Sequence, residues 1–213
     1  MRALVRTDVP LVVAKSLTCA AQAAQRAILA ELPRVFEGGA SRYTLNSTRL
    51  EPATVGNLVA RVAVKDRSTN AGNLPENYLF PQVFGGPRKE KRFERNLRFA
   101  GVLQPGARAV IGKDAPAGVL DAQGNLRRSE VQKILQAARS GDTSRYYTGQ
   151  LGKTAGVFRR KGKGKKAELQ PLLIFVNRQP RYAPRLDFEG IARATAQREF
   201  PPIFRRLLAK AKG

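Results

Sequence analysis

The chain contains no histidine, which removes at once the commonest general base, metal ligand and triad member. A catalytic zinc site would need histidine or several cysteines. The one cysteine, Cys19, stands in an Ala-rich helical stretch, where a small buried side chain is a more ordinary reading than a nucleophile. Carboxylates remain, with Asp114, Asp121, Asp187 and Glu189 near loops. Acids this sparse among so many cations are more simply explained as helix caps and arginine partners than as a paired acid and base. The segment Gly149-Gln150-Leu151-Gly152-Lys153-Thr154 ends like a phosphate-binding loop. That motif requires a glycine five positions before Gly152, and Tyr147 stands there, so the spacing fails. These residues predict no enzyme, no cofactor and no metal.

What the side chains offer instead is positive charge. Lys and Arg number 39 against 16 Asp and Glu, a formal net of +23. Like charges at that density push a compact state apart, so a polyanion or an acidic partner surface is expected to screen them. The charge is uneven. Residues 1–87 hold ten basic and six acidic side chains, a net of +4, and residues 88–213 hold twenty-nine and ten, a net of +19. From Lys153 to Lys166 there is no acid at all. Arg159, Arg160, Lys161, Lys163, Lys165 and Lys166 are the core of a candidate contact with DNA or an acidic partner, and Arg88, Lys89, Lys91 and Arg92 form a second cluster. A charge run is as readily a solvated hairpin tip or helix exterior. No single-strand-binding signature or zinc-finger spacing accompanies these residues. Any DNA contact is therefore phosphate-directed, salt-sensitive and independent of sequence.

The elements that must position these cations are legible in outline. With 42% hydrophobic residues, the chain is a folded domain and not a basic tail. No apolar run approaches the roughly 20 residues that cross a bilayer, and Met1 to Arg6 does not read as a signal peptide. Asp8 as N-cap and Pro10 in the first turn start a long helix whose Leu17, Ala21, Ala24, Ile28 and Leu32 recur at helical spacing. Pro33 and Gly38-Gly39 end it. Leu58 to Lys65 alternates as a half-buried strand, and Arg67 to Pro75 reads as a loop. Tyr78 to Phe84 forms an apolar knot, and Arg88 to Leu103 a second helix. Arg108 to Ile111 is a short strand, Ala115 to Asn125 a loop, and Ser129 to Arg139 a helix. Gly156 to Arg160 and Leu169 to Asn177 form a hairpin with the basic loop at its tip. Its run Leu172 to Val176 is apolar enough to be central to a core. A last helix starts at Asp187 and should be kinked or broken at Pro201-Pro202. Beyond the prolines, Ile203, Phe204, Leu207 and Leu208 continue an apolar stripe, a candidate subunit interface. The expected class is α+β, a single domain spanning residues 1–213. Long N- and C-terminal helices are packed on a central antiparallel sheet, with an extended basic β-hairpin at about 156–177.

Several segments, read in order, resemble tailed-bacteriophage virion proteins. Val9-Pro10-Leu11 entering an Ala-rich helix is similar to the opening of the phage minor tail protein Z family, which also has a basic middle and a closing amphipathic helix. Here the closing segment is Tyr182-Ala183-Pro184-Arg185-Leu186-Asp187-Phe188 followed by Ile191 to Leu208. Tyr78-Leu79, Gly85-Gly86, Lys91-Arg92-Phe93-Glu94, Leu120 to Asn125 and Leu172 to Val176 resemble the central block of prophage proteins. The block from Tyr78 to Asn125 is longer than the minor tail protein pattern.

The resemblance implies a virion component of the neck or tail, assembled in the host cytoplasm, that joins head to tail or completes the tail. It implies a homo-oligomeric ring around the DNA exit path. The partners would be further copies, the neighbouring portal, adaptor or tail proteins, and genomic DNA through its phosphates, with no membrane. It carries over no catalytic residue. The alternative is a basic, sequence-independent nucleic-acid-binding module, ribosome-associated or DNA-packaging.

Overall fold

From Asp8 to Val35 the chain is rich in Ala, Leu and Gln, good helix formers all, and folds as one helix, α1 (Asp8–Val35). The computed structural model describes residues 8–66, 74–162 and 167–212. After α1 come α2 (Arg42–Leu45), β1 (Thr48–Glu51), β2 (Arg61–Val64), α3 (Glu76–Phe84), β3 (Gly86–Pro87), α4 (Arg92–Phe99) and β4 (Arg108–Ile111). A 3₁₀ turn at Ala117–Val119 leads to α5 (Arg128–Ser140), β5 (Tyr146–Leu151), β6 (Thr154–Lys161), β7 (Glu168–Val176), β8 (Arg181–Tyr182) and α6 (Phe188–Lys212). This is the α+β class expected, with long helices at both ends and antiparallel strands between. The chain's contacts gather into two compact units, Met1–Gly85 with Ala183–Gly213, and Gly86–Tyr182.

In the first unit α1 buries Val12, Ser16, Ala20, Ala24, Ile28 and Leu32, every fourth residue along one face. The small side chains in the middle of that row permit a close helix neighbour, and α6 lies along it. Leu32 and Val35 at the end of α1 share an apolar cluster with Leu186, Phe188 and Ile191 at the start of α6, so the two helices run antiparallel. β1 and β2 pair antiparallel, Leu50 opposite Val62, and this ribbon also packs on α1. The expected packing of the terminal helices on a sheet is thereby refined: their main partner is one another, and the sheet that α1 touches is this ribbon.

Several expected boundaries move. The strand expected over Leu58–Lys65 begins only at Arg61, because a tight turn joins Thr54 to Asn57 and leaves Leu58 and Val59 exposed. The knot at Tyr78–Phe84 is helical, α3, with Pro81 inside it. Asp187 does cap α6, its Oδ1 accepting the Gly190 N–H at 2.9 Å. Pro201 and Pro202 do not break α6, which runs on to Lys212. Two missing donors are tolerated because most helix stability comes from packing of the buried face. The loop expected over Arg67–Pro75 lies mostly outside the described residues.

The second unit is a four-stranded antiparallel sheet in the order β4-β7-β6-β5, and β7 is central, as its apolar run implied. Leu97 from α4 and Ile134 and Ala137 from α5 meet Ala109, Tyr146, Val157, Leu172 and Leu173 from the sheet in one core. α4 is shorter than the helix expected over Arg88–Leu103. It starts after Lys91, whose backbone is extended. It ends where Gly101 takes a φ of 72°, which lets the Val102 N–H reach the Leu97 carbonyl at 2.9 Å and close the helix end.

Candidate polyanion-binding surface

The basic hairpin is built on the antiparallel ladders of β5, β6 and β7. β5 and β6 are joined at Gly152-Lys153, with Leu151 opposite Thr154 and Gly152 at a φ of 59°. The segment that resembled a phosphate loop is this hairpin turn. β6 then pairs with β7 as far as Lys161 opposite Glu168. Register slips between Val157 and Phe158, which face Leu173 and Pro171 and leave Leu172 as a bulge.

Strand alternation sends successive side chains to opposite faces. Arg159 therefore shares a face with Val157 and lies opposite Tyr146, and Arg160 lies on the other face with Phe158. Both arginines are half-buried and Lys161 is exposed. The run is one patch in sequence and two in space. Arg160 is further tied down, its Nε donating to the Thr143 carbonyl at 3.4 Å and its N–H to the Arg145 carbonyl at 2.9 Å. Lys163, Lys165 and Lys166 lie outside the described residues.

The second cluster divides. Arg88 was read as a contact for DNA or an acidic partner or as part of a helix exterior, but it is buried and makes a bidentate bond to Glu94, Nη1 to Oε2 at 2.8 Å and Nη2 to Oε1 at 2.6 Å. Glu94 also accepts the N–H of Lys91 at 2.8 Å and of Ala109 at 2.9 Å. Burial alone would raise the Glu94 carboxyl, but Arg88 and those two N–H groups hold it below the ordinary carboxylate range. Burial likewise works against the Arg88 cation, and the bond to Glu94 outweighs it. Arg88 is thus structural, joining the entry of α4 to β4, and is not available to a polyanion. Lys89, Lys91 and Arg92 are exposed, as is Arg95 one turn on, which the sequence reading passed over.

A second internal acid is spent similarly. Glu130, buried on α5, accepts the Tyr146 hydroxyl and the Lys133 Nζ, the latter at 2.9 Å. Burial pushes the Tyr146 phenol up, and the Glu130 carboxylate adds to that. Arg145 stacks over the Tyr146 ring at 5.6 Å. Asp121 accepts the N–H groups of Gln123 and Asn125 within one turn. These acids hold the fold together, and among the described residues no cluster of acids and cysteine could hold a metal ion.

The stripe Ile203, Phe204, Leu207 and Leu208 is half-buried on α6, with Phe204 stacked on Phe200 at 5.8 Å. The same helix exposes Arg193, Arg198, Arg205, Arg206 and Lys210. The sequence reading weighed that segment for its apolar residues and missed this basic exterior, although the spacing of those cations carries the signal. What the exposed cations can do is bind phosphate or carboxylate oxygens without reading sequence. No family model, curated protein or solved structure matches the chain.

Proposed function

We propose that this protein is a structural component of a tailed-phage particle at the neck or tail, a self-associating ring whose basic surfaces face DNA or an acidic neighbour. One observation carries the reading. In the unit Gly86–Tyr182, Glu94 and Glu130 are buried in internal pairs, while Lys89, Lys91, Arg92, Arg95 and Lys161 stand exposed. The unit's other acids, Glu90, Asp114, Asp121, Asp142 and Glu168, are far outnumbered by its Lys and Arg, so it presents a net cation surface suited to a phosphate backbone. The resemblance to phage virion proteins supplies the station.

The test is molar mass by light scattering at low and high salt after nuclease treatment. A discrete multimer without nucleic acid is expected. A monomer that binds any nucleic acid at low salt would instead identify a sequence-independent binding module.

A further inference from the structure

For a chain of net +23, like-charge repulsion favours contact between copies through surfaces that lack positive charge. Two such surfaces among the described residues of the helical unit differ in shape. The first is the loop between β1 and β2. From Pro52 to Ala60 nine successive residues carry no charge. Val55, Leu58 and Val59 are 53%, 41% and 44% exposed there. The loop is pre-formed: Thr54 and Asn57 exchange backbone hydrogen bonds at 2.9 and 3.1 Å, and the Ala53 N–H donates to Thr18 Oγ1 of α1 at 3.1 Å.

The second surface is a cleft of about 530 Å³ between the end of α3 and the start of α6, walled by Val83, Phe84, Pro184, Leu186 and Phe188. Phe84 is 67% exposed, with Phe80 edge-on against it. Asp187 and Glu189 outnumber Arg185 on the lining, so here the local charge is negative in a strongly positive protein.

The two surfaces lie toward opposite ends of α1. Gln25 of α1 bonds Thr48 and Thr18 bonds Ala53, so the ribbon points its loop toward the helix N-terminus. The cleft adjoins Leu32 and Val35 at the other end. At about 1.5 Å per residue the anchor at Thr18 and the cleft end are roughly 20 Å apart. One copy cannot fill its own cleft. A contact between unlike surfaces on identical chains is heterologous, and repeats into a ring or filament.

We infer that the Pro52–Ala60 loop of one copy seats in the Phe84 cleft of the next, and that this is the contact by which copies assemble. The inference rests on the self-association proposed above and names its interface. The test compares the solution mass of the unaltered protein with Leu58→Asp, which spoils the loop, and Phe84→Asp, which spoils the cleft. Both positions are exposed, and circular dichroism establishes that each variant is folded. Each variant alone is expected at single-chain mass, and an equimolar mixture as a dimer, since one intact loop then meets one intact cleft. As a second measurement, Val55→Cys with Phe84→Cys, in a Cys19→Ala background, is expected to give a ladder of disulfide-linked copies on mild oxidation. An assembled protein whose variants keep its full mass, with no ladder, would overturn this interface and leave the ring reading standing. An unaltered protein that stays monomeric at every salt concentration would overturn both.

Discussion

Glu94 takes four N–H donors, two from one guanidinium and two from the backbone at either side of a helix and a strand. A carboxylate so placed is worth most when it is removed. Glu94→Gln leaves the buried Arg88 without its counter-charge, and a buried pair broken from one side costs about 3–5 kcal/mol. Urea unfolding checks this. The pH dependence has a definite sign. The folded-state carboxyl titrates below its unfolded value, so its contribution is full above roughly pH 4.3 and is lost as pH falls through the folded value. Glu94→Gln should therefore flatten the acid limb of the stability profile, and an unchanged limb would count against the assignment. None of this was legible in Arg88 to Glu94 as sequence, where a run of cations with two acids reads as an exposed helix. One of the carboxylate's four donors, the Ala109 N–H, arrives from β4, fifteen residues on.

The strands show the same division at the next scale. That β7 is central followed from its apolar run, and that β6 pairs with it followed from the hairpin pattern. The closeness of the two did not. A Cβ on Gly156 would lie 2.1 Å from the Leu173 carbonyl oxygen, so the ladder beside the Leu172 bulge exists only because that position has no side chain. Gly156→Ala is expected to lose about 2 kcal/mol or more in thermal or urea unfolding. Gly56→Ala, which meets nothing within 4 Å, should stay within about 0.5 kcal/mol of the parent. Equal losses at both sites would mean that the β6–β7 approach does not set the effect, since the entropic part of Gly→Ala alone stabilises. Helix α6 departs from expectation in the other direction. Its two prolines read locally as a break, and the long face it shares with α1 carries it through.

Across the whole molecule the decisive property is where unpaired charge is left. Arg159 and Arg160 point to opposite faces of the ribbon, so one phosphate backbone cannot engage both. Arg159→Ala with Arg160→Ala and Lys161→Ala should reduce the salt slope of polyanion binding by about 2, not 3, at about one per lost phosphate contact. Binding isotherms across a salt series read this directly. A slope unchanged by the triple substitution would move the contact to the exposed cations of α4 and α6. The mass of the assembly should not change with it, because the proposed copy-to-copy contact uses none of the three.

The α+β class, the two long terminal helices, the basic hairpin and its apolar central strand were all legible in the residues, because each rests on local periodicity or on composition. The sequence also shows that the chain carries no histidine. Which cations are exposed emerged only from the packing of distant segments. Arg88 and Arg92 sit four residues apart in one basic run, and one is buried against Glu94 while the other faces solvent. That packing also decided that an uncharged loop and an open aromatic cleft stand at opposite ends of one helical unit. Charge and apolarity are properties of residues, but their availability depends on what distant segments bring against them, and that is fixed only when the chain closes on itself.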